Sequence, residues 1–264
     1  MTKLNSLLGG ALCGLVLMEI LASGAGAENA KGGPPGHSLQ MMVVTTPEWN
    51  SVDGHMQRYE RKRAGERWKR VGDAVPIVVG KKGMGWGAGV IATATPGVFD
   101  PTDPVKKEGD GKSPAGAFSI GSGFGYAAQA LPGLKLTYIP LTPTVECVDD
   151  TASHFYNQIV DRATVTPDWN SSEKMASEGV SYRWGAVINH NVNPAVPGVG
   201  SCVFLHIWSG PSSWTAGCTA MAQEQLEPIL AWLDPAKSPL LVQLPAAQYK
   251  KLMKPWHLPK LPNG

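Results

Sequence analysis

Residues 201–221, SCVFLHIWSGPSSWTAGCTAM, hold the side chains whose types and spacing could do chemistry. An apolar run delivers His206, a Gly/Pro/Ser stretch follows, and Gly217–Cys218 stands before what reads as a helix. A free thiol is mostly protonated at neutral pH, and an imidazole or a helix N-terminus are two common aids to its ionisation. Cys218 is then a candidate nucleophile and His206, twelve residues earlier, its candidate base. The amides of Gly217 and Cys218 are candidate oxyanion donors, since the first N–H groups of a helix have no partner within it. Trp208 and Trp214 bracket the loop as candidate cleft walls, although plain packing would serve either equally well. A buried structural cysteine and a strand-end histidine are the alternative reading of the same pair.

The elements that must position this stretch read as mainly β. With 31 Gly and 22 Pro, the chain should be rich in turns and short strands. Strands are expected near residues 39–45, 55–63, 67–71, 77–79, 118–120, 135–139, 182–190 and 240–244. Residues 58–70 read as a solvated basic hairpin, and 121–129 as a Gly-rich loop. Residues 168–176 read as a short helix. Leu226, Ile229, Leu230 and Leu233 recur at helical spacing over 223–233, with Pro228 inside the pattern. Asp149 and Asp150 read as a cap or turn rather than metal ligands, and no zinc spacing, phosphate loop or dinucleotide fingerprint is present.

Residues 1–27 carry the pattern of a secretory signal: Lys3, an apolar stretch, then Ala25-Gly26-Ala27. Residues 28–37 read as a flexible lead-in, 38–247 as one catalytic domain, and 248–264 as a tail draped over it. The expected compartment is periplasmic, and no later stretch has the run of about 18 apolar residues that a membrane span needs. A net charge of +2 sets no expectation of nucleic acid. Signal removal leaves Cys147, Cys202 and Cys218, and three thiols cannot all pair within one chain. A Cys147–Cys202 disulfide with Cys218 free is the economical assignment, and other connectivities stay open.

Residues 206–221, HIWSGPSSWTAGCTAM, resemble the active-site motif of the L,D-transpeptidase (YkuD-like) family, in which a histidine precedes an S/T-x-G-C segment. KEGDGKSPAGAFSI (107–120) is similar to that family's T-P-x-G-x-F loop, and WGAVINHN (184–191) to the strand before its motif. GKKGMGWG (80–87) and CVDDTASHFYNQIV (147–160) resemble its exported proteobacterial members.

The resemblance implies a YkuD-like β-sandwich or barrel-like domain. It also implies a cofactor-free, metal-free peptidoglycan L,D-transpeptidase, with Cys218 acylated by a tetrapeptide stem and His206 as base. The Ile207 carbonyl would orient His206, and a carbapenem should label the thiol. His190 is a second substrate-positioning candidate, and Arg183 a candidate ligand for the donor carboxylate. Ala216 and Ala220 stand where the family commonly has His and Arg or Asn. Hydrolysis of the same acyl-enzyme, and a non-catalytic wall-binding module of the same fold, are the competing readings. Peptidoglycan stem peptides are the expected partner of a monomer.

Overall fold

The computed structural model describes residues 36–90 and 99–261. The expected signal segment lies outside them. Thirteen strands and two short helices are present among these residues. Eight strands close a barrel in the order β10 (Trp184–Ile188), β11 (Phe204–Ile207), β12 (Thr219–Met221), β3 (Lys69–Val78), β2 (Asp53–Glu60), β1 (Gln40–Thr46), β13 (Leu240–Pro245), β5 (Ser113–Gly125). The pairing of β10 with β5 closes the ring. β4 (Met84–Trp86) and β6 (Tyr138–Pro140) add to β5, and β7 (Val145–Val148), β8 (Ile159–Asp161) and β9 (Ser172–Glu173) form a separate small sheet. Closure leaves no open edge among the eight strands, which removes the template for edge-to-edge pairing.

Burial follows pairing. In β2, Gly54, Met56 and Tyr59 are buried while Asp53 and His55 are exposed, an alternation interrupted at Gln57, which is buried where the pairing with β3 shifts register. β1 lies between β2 and β13 and carries α2 (Ala246–Leu252) against it, so nearly all of QMMVVTT is buried. α1 (Gln223–Trp232) packs on β10 and β11 through Leu226, Ile229 and Leu230. Pro228 sits inside this helix, where proline costs about 3 kcal/mol. Full burial of each large aliphatic side chain contributes about 1.5–3 kcal/mol, so three of them together with buried Leu233 outweigh that cost.

Several sequence expectations change. β3 is one strand, because residues 69–71 and 75–78 both pair with β2, on either side of a register shift. The glycines of 121–125 extend β5 rather than forming a loop: a Cβ on Gly125 would lie 2.5 Å from the Arg183 carbonyl, so glycine lets β10 approach. Residues 168–176 hold β9 and a short 3-10 turn, since Ser172 and Glu173 pair with β7. After Cys218 comes β12, not a helix. α1 begins only at Gln223, five residues on. α2 runs across the expected boundary into the tail, which then buries Trp256 and Leu258, with the Tyr249 hydroxyl donating to the Pro259 carbonyl at 2.6 Å.

Candidate functional site around Cys218

β11 and β12 are parallel neighbours, with His206 opposite Ala220, and this register brings Cys218 level with Phe204. The Phe204 amide donates to Cys218 Sγ at 3.3 Å, and the thiol donates to the Cys202 carbonyl at 3.7 Å. The Cys218 carbonyl accepts from Thr215 Oγ1 at 2.7 Å and from Ser113 Oγ at 2.8 Å. Ser113 in turn accepts from the Gly80 amide. The amide of Gly217 is spent on Thr215 Oγ1 at 3.2 Å. A Cβ on Gly217 would lie 3.1 Å from the Lys112 carbonyl, so glycine here allows that close approach.

Cys147 and Cys202 are joined in a disulfide, and Cys218 is the free cysteine among the described residues. It is buried at 7 % exposure, among Phe124, Phe204, Tyr182 and Met175. Burial, reinforced by the charge of Glu173, pushes its thiol up to about 12. His206 is also buried, and its Nδ1–H donates to the Ile207 carbonyl at 2.8 Å. A carbonyl only accepts, so this bond fixes the tautomer. Burial brings the imidazole down to about 4. At neutral pH both groups are uncharged. Tyr182 packs its ring edge-on against His206, with centroids 5.3 Å apart, and its hydroxyl donates to the Glu173 carboxylate. Burial raises Glu173 to about 7.

The expected cysteine-dependent acyl transfer is therefore overturned. Two of the cysteines near the site are locked in the disulfide, which makes neither of them a nucleophile. The third is a buried thiol hydrogen-bonded as a neutral group, with no helix N-terminus beside it and with the Gly217 amide already engaged. The transpeptidase assignment, its hydrolytic variant and the carbapenem sensitivity fall with the nucleophile. A thiol near 12 holds only a vanishing thiolate fraction at neutral pH.

The other expected residues scatter. His190 is 1 % exposed, sends Nε2 to the Val199 carbonyl at 3.2 Å, and leaves Nδ1 without a partner. Burial lowers it to about 4. Arg183 is exposed and closes the 3-10 turn Gly179–Tyr182, with no contact to Cys218 among its described interactions. Trp208 is half-buried, and its amide donates to Met221. Trp214 is 59 % exposed, with Lys81 Nζ 5.3 Å from its ring centroid. No group of three or more His, Cys, Asp or Glu that could hold a metal exists among the described residues.

Sequence reasoning missed Lys106, Thr215, Ser113 and Tyr182. Lys106 is 4 % exposed, pairs with Asp110 at 2.8 Å, and runs past Gly200 to Gly217. Its i,i+4 spacing to Asp110 was the one available signal. Lys81, Lys82 and Lys112 cluster beside it: the Lys81 amide donates to the Thr215 carbonyl, and Lys112 Nζ to the Lys82 carbonyl. Lys81 is thus the cation that lies against the exposed Trp214 ring.

No family model matches the chain, and no curated protein or solved structure matches it.

Proposed function

We propose that the protein is a non-enzymatic binding protein for a carboxylate-bearing peptide, with peptidoglycan stem peptides as the partner. The observation that carries this reading is Trp214, 59 % exposed under the Lys81 ammonium on the loop that leads to Gly217–Cys218. An exposed tryptophan offers a rigid apolar face at low entropic cost, and Lys81 beside it supplies charge for a carboxylate. The backbone beneath is held: Thr215 bonds at its amide, its carbonyl and its hydroxyl, so the platform is preorganised. The YkuD-like resemblance of residues 80–87, 107–120 and 206–221 supports stem peptides as the source of that carboxylate.

Calorimetric titration with a purified tetrapeptide muropeptide, and with the same compound amidated at its C-terminus, tests this. The free acid should bind at least about tenfold tighter than the amide, a difference of about 1.4 kcal/mol. Equal affinity for both forms, or no binding of either, removes the proposal.

A further inference from the structure

A second surface lies away from Cys218, between the turn joining β2 to β3 and the C-terminal tail. It is a groove of about 1070 Å³, lined among others by Tyr59, Trp68, Met253, Leu258 and Pro259. Around these apolar residues stand Arg67, Arg70, Lys254 and Lys260, all exposed. None of these four cations has an ion-pair partner among the described residues. Glu66, the one acid in the lining, is already paired with Arg63 at 3.0 Å.

The charge is concentrated rather than general. Residues 58–70 and 250–260 hold 11 of the 23 Lys and Arg of a chain whose net charge is only +2. The two stretches are far apart in sequence and meet only because the tail packs back on the hairpin. Trp68 Nε1 donates to the His257 carbonyl, and the Tyr59 hydroxyl to the Lys260 carbonyl. Arg61, buried under the groove, donates Nε to the Ser38 carbonyl at 2.7 Å and stacks its guanidinium 4.3 Å from the Trp68 ring centroid. That cation is part of the scaffold; it holds the tryptophan in place. The walls are therefore built, and the charge on the rim faces water.

We infer that this groove is a docking site for the phosphate headgroups of an anionic phospholipid surface. Two properties favour a lipid over a linear polyanion. The apolar floor, with half-buried Trp68 at its edge, suits contact with the headgroup–acyl boundary, where tryptophan sits well. The unpaired cations ring that floor, as an amphiphile with an anionic head requires. Attraction of basic residues to anionic lipid is additive and weakens with salt.

The experiment is flotation of the full chain with vesicles of phosphatidylcholine alone and of phosphatidylcholine mixed with phosphatidylglycerol, at low and high salt. Single-stranded DNA and poly-glutamate serve as competitors, and the quadruple variant Arg67→Ser, Arg70→Ser, Lys254→Ser, Lys260→Ser is measured in parallel. The four side chains are exposed, so an unchanged thermal midpoint of the variant shows that it folds. Binding should need phosphatidylglycerol, fall with salt, and weaken by roughly a hundredfold or more in the variant. A second variant, Trp68→Phe, keeps the charge and should weaken binding only severalfold. Equal flotation with both vesicle types, an unaffected quadruple variant, or displacement from vesicles by stoichiometric polyanion each overturns the inference. The last outcome would assign the groove to a polyanion instead.

Discussion

Cys218 Sγ accepts the amide N–H of Phe204 at 3.3 Å, two residues before His206 on the same strand. The thiol and the imidazole thus share a strand pair, yet the bonds each makes run elsewhere: Sγ–H to the Cys202 carbonyl, Nδ1–H to that of Ile207. Both are buried, and each donates its proton to a backbone carbonyl. Burial penalises the charged form of each, and no hydrogen bond between them offsets that penalty.

pH dependence follows from these burials, with two opposite signs. His206 and His190 fall to about 4 from 6.5, so the unfolded chain binds their protons first. Stability is intact above 6.5 and is lost as pH falls through 4, by about 3 kcal/mol for each histidine. Glu173, raised to about 7 from 4.5, acts the other way: its contribution is intact below 4.5 and is lost as pH rises through 7. Glu173→Gln should therefore stabilise the protein by about 3 kcal/mol at mildly alkaline pH and leave it unchanged near pH 4. Denaturant midpoints across that range measure it. A pH-independent difference between variant and parent would refute the assignment.

The disulfide ties β7 of the small sheet to the segment leading into β11, across 55 residues. Closing a loop of that length stabilises by about 4 kcal/mol in the chain-entropy model. Cys147→Ser with Cys202→Ser should lower stability by about 2–4 kcal/mol, read by urea denaturation. A loss under about 1 kcal/mol would mean that the small sheet is held by its Glu146 cluster alone. In that cluster burial works against the Glu146 charge, but Lys174, Ser172 and Trp169 hold the carboxyl down at about 2.

Trp214→Ala should leave stability within about 0.5 kcal/mol of the parent, since most of this side chain faces water. Muropeptide affinity should fall by about tenfold or more if the ring is the binding platform. Calorimetry and thermal melts on one sample separate the two effects. Unchanged affinity would move the ligand away from this loop.

Much of the barrel was legible because its strands carry local signals. The apolar, β-branched run of β1 marked the first strand, and the turn at 64–66 marked the hairpin of β2 with β3. The leucine spacing of α1 was equally plain, even across Pro228. What was not legible depended on partners distant in sequence. Gly121, Gly123 and Gly125 read as loop residues, and only the close approach of β10 explains them in a strand. The stretch after Cys218 read as a helix start, but its parallel pairing with β11 made it a strand. Lys106 carried no signal beyond its spacing to Asp110, because Gly200 and Gly217, which pack against it, are far away in sequence. Likewise the basic hairpin read as a solvated face, because the tail that completes its groove lies nearly two hundred residues away.

The protonation state of Cys218 carries the account, and alkylation read by intact mass tests it most directly. The native protein is incubated with iodoacetamide at neutral pH, alongside the same protein in denaturant and a Cys218→Ala control; a carbapenem arm runs in parallel. On the protein without residues 1–27, one adduct is expected in denaturant and none on the native protein or the control, because the Cys218 thiol is buried and near 12. Rapid, stoichiometric labelling of native Cys218 by either reagent would contradict it.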